Sequence, residues 1–180
     1  MARLGLLSVG LLMVLGACTA SPEPEPTVSA DGTVRPTIAT PGVRGCDTSA
    51  EGPVSADPGV AVGVGPLKVQ SLDYRFEGPN AQADKEGWRR FKIPVTIEGE
   101  EPVTIAIPVE FRDIAKLTYV PGRGDYATTF VPCDTRPETH FAGGVAIRQA
   151  ICLSLVVSWS RHTEELSLEF GEGARGVRSK

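Results

Sequence analysis

The sequence predicts an all-β domain behind a signal peptide and a disordered stalk, and three observations predict it. From about Val54 onward, short runs of alternating apolar and polar residues recur between turn signals, the period-2 pattern of half-buried strands. One stretch alone, Glu110–Lys116, reads as a helical turn, and it is short. Ahead of these runs, residues 19–53 are dominated by Pro, Ser, Thr, Glu and Gly, with isolated Val and Ile. Seven or more short strands over residues 54–172 point to an antiparallel sandwich of immunoglobulin-like type. A small closed barrel is the alternative.

The N-terminus gives the address. Arg3 is followed by the apolar run Leu4–Leu15, about half the length that a membrane-spanning helix needs. A positive charge, a short apolar stretch and then small residues form a secretory signal. Here the small residues end in a cysteine, Leu15-Gly16-Ala17-Cys18, and this looks like the lipobox of bacterial lipoproteins. That likeness implies cleavage before Cys18, a lipid on its sulfur, and a chain held at the extracytoplasmic face of the cell membrane. The alternative is a plain signal cut after Ala20, which leaves no anchor. With residues 1–17 removed, the formal charge passes from −4 to −5, because Arg3 is the only charged side chain lost. That mild acidity argues against nucleic acid as a partner, since nucleic-acid binders show basic surfaces.

Residues 18–53 form the expected stalk. Ser21-Pro22-Glu23-Pro24-Glu25-Pro26-Thr27 and the Ser/Thr/Gly/Ala sequence after it bury too little apolar area to offset their ordering entropy. A partly polyproline linker follows from that composition.

The sandwich is expected over 54–172. Leu67, Val69, Leu72, Tyr74 and Phe76 alternate, with a slip at Gln70-Ser71 of the kind a bulge causes. Phe91–Glu98 and Val103–Val109 are two period-2 runs joined by Gly99-Glu100-Glu101-Pro102, which predicts a hairpin. Pro94 and Pro108 take the outward register and mark edges or bulges, since proline cannot donate to a ladder. Leu117–Val120, Ala127–Cys133 and His140–Ile147 are shorter candidates. Within the last, Gly143-Gly144 predicts a bulge or a close backbone approach, either a bend packed on the neighbouring sheet or a gap for a ligand. Ala150–Trp159 puts Ile151, Leu153, Leu155, Val157 and Trp159 on one face, and Leu166, Leu168 and Phe170 repeat the pattern. Residues 173–180 read as a disordered tail.

Three cysteines remain beside Cys18: Cys46, Cys133 and Cys152. A secreted chain permits disulfides. Cys133 and Cys152 both lie in the strand-rich part, with 18 residues between them, and their pairing is favoured. Cys46 falls in the stalk and is left over, although its pairing with either of the others stays open.

The sequence offers no catalytic constellation. Gly-x-Ser-x-Gly, His-Glu-x-x-His and Cys-x-x-Cys are all absent, and both methionines, Met1 and Met13, lie in the signal. His140 and His162 have no ligand spacing around them. A Cys46–His140 thiol pair would require the stalk to dock on the domain. Arg123-Gly124-Asp125 spells an adhesion tripeptide, but Gly and Asp are turn residues in their own right. The aromatics Tyr74, Phe76, Trp88, Tyr119, Tyr126 and Trp159 are expected in the core or at turns. No cofactor or metal is expected.

Val131-Pro132-Cys133, Thr139-His140-Phe141-Ala142-Gly143-Gly144-Val145 and Ile151-Cys152-Leu153-Ser154-Leu155 resemble a pattern of uncharacterised actinobacterial lipoproteins and secreted proteins. In these a Pro-Cys is followed by a Thr-x-Phe-x-Gly-Gly stretch and a cysteine on the next strand. Gly65-Pro66-Leu67 and the segment Phe91–Val109 fit the same layout. The resemblance covers about Val60 to Trp159, implies the Cys133–Cys152 pairing and carries no activity. The functional expectation is a lipid-anchored binding or structural module of the cell envelope, with an envelope protein or polysaccharide as partner. An envelope enzyme or a small-ligand carrier is the alternative.

Overall fold

The computed structural model describes residues 41–52, 61–70, 82–122, 124–171 and 176–179, all within the compact unit Thr33–Lys180. The fold is all-β. Its strands in chain order are β1 (Gly42–Arg44), β2 (Ala61–Val64), β3 (Leu67–Gln70), β4 (Arg89–Lys92), β5 (Val95–Glu98), β6 (Val103–Ala106), β7 (Ala115–Leu117), β8 (Ala127–Phe130), β9 (Glu138–Phe141), β10 (Gly144–Ile147), β11 (Ile151–Trp159), β12 (His162–Phe170) and β13 (Gly176–Ser179). Short 3-10 turns occupy Cys46–Thr48 and Val109–Phe111. In the expected helical turn Glu110–Lys116, the second of these runs on as a turn through Arg112–Ile114, and β7 takes up the last two residues.

Six strands form a mixed sheet in the order β1-β8-β6-β11-β12-β13. Its spine is the nine-residue hairpin β11–β12, in register from Ile151 opposite Phe170 to Trp159 opposite His162. The remaining strands form a three-stranded sheet, β4-β10-β7, and a four-stranded one, β2-β3-β5-β9. These two are halves of one bent ladder. Lys92 faces Gly144 in the β4–β10 pair and Val95 faces Phe141 in the β5–β9 pair, the same register on both sides. The Ile93 amide donates to the Gly143 carbonyl (2.8 Å) between them. The ladder kinks at Pro94, which has no N–H to give, and at Gly143, whose φ is +156°.

Both glycines answer a packing need. A Cβ on Gly143 would overlap the Tyr119 ring, and one on Gly144 would overlap the Phe91 carbonyl. The expected close approach is therefore there, and protein fills it. The Tyr119 hydroxyl donates to the Ile93 carbonyl (2.8 Å) at the kink. Its ring meets Phe130 edge-on at 4.9 Å, and Phe130 meets Phe141 at 5.1 Å. Phe130 lies on β8, Phe141 on β9 and Tyr119 just beyond β7, so this aromatic chain ties all three sheets together. One core cluster takes inward residues from each of them, among them Val69, Ile97, Ile105, Leu117, Leu155 and Leu168.

Four expectations are corrected. Phe91–Glu98 and Val103–Val109 do not form a hairpin: β5 pairs with β3 and β9, whereas β6 pairs with β8 and β11. Inward alternation holds at Phe91, Ile93, Val95 and Ile97 and at Val103, Ile105 and Ile107, but Val109 is exposed and Pro94, expected outward, is buried at the kink; the connection arches from one sheet to another. The stalk does not reach residue 53, because β1 pairs in parallel with β8, Gly42 opposite Thr128 through Arg44 opposite Phe130. The tail 173–180 is not without structure, because β13 pairs with β12. Finally, Cys133 bonds Cys46 and not Cys152, with Cα atoms 4.9 Å apart. The parallel docking of β1 carries the chain past Phe130, and two residues beyond Arg44 it reaches Cys133. Cys152 lies on β11 opposite Glu169. The expected strand through Leu72, Tyr74 and Phe76 lies outside the described residues.

Candidate functional site

Strand alternation places one set of side chains on the outer face of β4-β10-β7. Arg90, Ala146 and Lys116 form one cross-strand row. Lys92 and Gly144 begin the next, and Thr118 completes it through its amide bond to the Gly144 carbonyl (2.9 Å). Inward register sends Phe91, Val145 and Leu117 to the core. The outer rows open into a cleft of about 730 Å³, bounded by the kink at Pro94 and Gly143 and by the loop at Pro121 and Gly122. Among its described lining residues three are basic, Arg90, Lys92 and Lys116, and none is acidic. A volume of this size lies within the usual range of small-ligand pockets.

Trp88 organises the basic side chains. It is 7% exposed, with the Lys116 ammonium 3.9 Å and the Arg148 guanidinium carbon 4.3 Å from its ring centroid. Such contacts draw a cation onto the negative face of an aromatic ring. Gly124 lies against the Lys116 stem, where a Cβ would collide with it. Lys116 is thus fixed from both sides. Asp84 anchors the approach to Trp88 through its Oδ1, which accepts from the Trp88 amide (2.9 Å) and the Glu86 amide (3.0 Å). Its other oxygen is 3.7 Å from Arg90. The Trp88 hydrogen bond, helped by that of Glu86 and by Arg90 and Lys116, holds the Asp84 carboxyl below its ordinary pKa, against a smaller opposing effect of desolvation.

The residues expected to carry function lie elsewhere. Cys18 is outside the described residues. Cys46 and Cys133 are joined to each other, which leaves no Cys46 thiol to pair with His140. His140 shares a hydrogen bond with Thr96 (2.8 Å) on the outer face of β5 and β9, and His162 stacks on Trp159 at the β11–β12 turn, 5.4 Å between centroids. Among the described residues, no group of three or more His, Cys, Asp or Glu side chains is placed to hold a metal. Of the tripeptide, Arg123 lies outside the described residues, while Asp125 is 8% exposed and so is not displayed as an adhesion loop would require.

The chain was compared with protein-family models, curated proteins and solved structures. None matches. The cleft therefore has to be read from its own chemistry. Sequence reasoning missed its basic residues, although a signal was present. In Trp88-Arg89-Arg90-Phe91-Lys92 the even positions carry Trp, Arg and Lys on one strand face, and Lys116 repeats a basic outward position on β7.

Proposed function

We propose that this chain is a lipid-anchored binding module of the cell envelope, built on an immunoglobulin-like β-sandwich and engaging an anionic ligand in the cleft of β4, β10 and β7. The observation that carries the reading is a cleft lined by Arg90, Lys92 and Lys116, with no acidic side chain among its described lining residues, in a chain whose net charge is −4. A local field opposite in sign to the whole molecule selects ligands by charge and speeds their encounter. The sandwich reading draws support from the single core shared by the six-stranded sheet and the bent ladder. The anchor reading draws on Leu15-Gly16-Ala17-Cys18 after an apolar run too short to span. Cys18 would hold the domain at the extracytoplasmic face of the membrane through the sequence that precedes β1.

Two measurements test this. Growth with a fatty-acid analogue should label the protein, and Cys18→Ala should abolish the label; a variant still labelled and membrane-bound ends the anchor reading. Photo-crosslinking from Thr118 in the native envelope should capture a partner, and Lys92→Gln with Lys116→Gln should suppress the capture at least fivefold. Undiminished capture would remove the cleft from the binding surface.

A further inference from the structure

We propose that the ligand of the cleft is a soluble polymer bearing phosphate groups, with successive phosphates held by Arg90, Lys92 and Lys116. The inference rests on the binding reading above and names its substrate class. Neighbouring antiparallel strands lie about 4.8 Å apart and residues of one face recur about every 6.8 Å. Arg90 and Lys116 are two strand steps apart in one row, about 9.6 Å, and Lys92 follows Arg90 along β4 in the next. Between them, β10 contributes only the small residues Gly144 and Ala146 to these rows. Three positive charges spread over such a patch, beside about 730 Å³ of space, exceed what one small anion uses. A chain that repeats its charge meets all three.

The kinds of cation suit phosphate. A guanidinium fork matches carboxylate and phosphate alike, and ammonium groups bind phosphate as point charges. Among the described lining residues Arg90 offers the one fork, and Asp84 already lies 3.7 Å from it. That leaves two ammonium groups and the Thr118 hydroxyl, which donate to tetrahedral phosphate oxygens from several directions. A lipid headgroup fits less well. Among the described residues the exposed large apolar side chains are Val43, Val109 and Val131, none of which lines the cleft, and the exposed apolar residues that do, Pro121 and Ala142, are small, a poor fit to a bilayer.

Trp88 supplies the reporter, because a ligand that recruits Lys116 alters its contact with the ring. The chain has two tryptophans, and Trp159→Phe leaves Trp88 alone. The full chain carrying that substitution, in detergent, is titrated with inorganic polyphosphate. Saturable quenching or enhancement is expected, and calorimetry should give at least tenfold weaker binding for Lys92→Gln with Lys116→Gln. Lys116→Arg should retain binding within about threefold, and circular dichroism verifies that each variant is folded. Polygalacturonate should bind at least tenfold more weakly than polyphosphate, and phosphatidylglycerol vesicles should not bind through the cleft. Equal binding by the double variant overturns the proposal, as does polygalacturonate binding as tightly as polyphosphate. Vesicle binding lost with the same two lysines would assign the cleft to a headgroup and overturn the polymer. If polyphosphate fails while envelope capture from Thr118 still needs the two lysines, the ligand class falls and the binding reading stands. If neither depends on them, both fall.

Discussion

Asp84 shows how one side chain sets the geometry of a neighbourhood. Its Oδ1 gathers the amides of Glu86 and Trp88, which closes the turn before β4 and lays Trp88 where Lys116 and Arg148 meet it. Its charge works in the same direction, because the folded pKa lies below the ordinary value of 3.8. A carboxyl with a depressed folded pKa stabilises above its unfolded pKa, and that contribution fades as pH falls through the lower folded value. Acid should therefore loosen this turn only below about pH 3.8. In a Trp159→Phe background, Trp88 emission should shift in that range, and Asp84→Asn should abolish the shift while leaving the emission at pH 7 near that of the parent. The same transition in Asp84→Asn would assign it to another carboxylate. None of this was visible in the sequence, where Asp84 is one acid among many. A hydrogen-bonding turn residue differs from a solvated one only through its partners.

At the scale of the element, alternation was legible and pairing was not. Val95, Ile97, Val103 and Ile105 are buried as the period-2 runs require, because the side-chain face of a strand is a local property. Which strand lies beside it depends on chain direction over many residues. Here Pro94 and Gly143 bend one ladder into two sheets, and β5 and β6 part company. The sequence carried both bending residues, and Gly143-Gly144 was readable as a close approach. What approached was not readable, since Tyr119 and Phe91 come from distant segments. Gly144→Ala tests the element directly. The added methyl would overlap the Phe91 carbonyl inside the β4–β10 ladder, and backbone yields less readily than a side chain. Destabilisation of about 3 kcal/mol or more is expected in urea melts, the upper end for overpacking. Gly52→Ala is a fair control for lost glycine freedom: like Gly144 it lies outside the left-handed region, but its Cβ would meet nothing within 4 Å. A Gly144→Ala variant as stable as that control would show that the ladder tolerates the methyl.

Across the whole molecule, the all-β class was legible from composition and period, while the point where the domain begins was not. Gly42-Val43-Arg44 is too short and too plain to announce a strand, and it forms one because β8 offers an edge. Three attachments fix it there: the parallel ladder to β8, the buried Arg44 and the Cys46–Cys133 bond. The Arg44 guanidinium donates to the carbonyls of Tyr119, Ala142 (3.3 Å) and Thr48 (2.6 Å). Burial lowers its pKa from the ordinary value, opposed in part by Asp47. Under the proposed anchor these attachments have a mechanical meaning. A membrane tether at Cys18 pulls on β1, and a ligand in the cleft resists from the bent ladder, so the load crosses the β1–β8 ladder. The disulfide closes a span of 87 residues and passes that load from Cys46 into the chain just beyond β8. In the chain-entropy model a loop of that length is worth about 4–5 kcal/mol. Cys46→Ser with Cys133→Ser should lower stability by up to that amount in urea melts. It should also let trypsin cut after Arg44 before the domain unfolds, because the ladder and Arg44 alone then retain β1. Peptide mapping of brief digests reads this out. Wild-type protein cut after Arg44 as fast as the double variant would show that the disulfide does not secure the strand, and the load would then have to pass through Arg44 and the ladder.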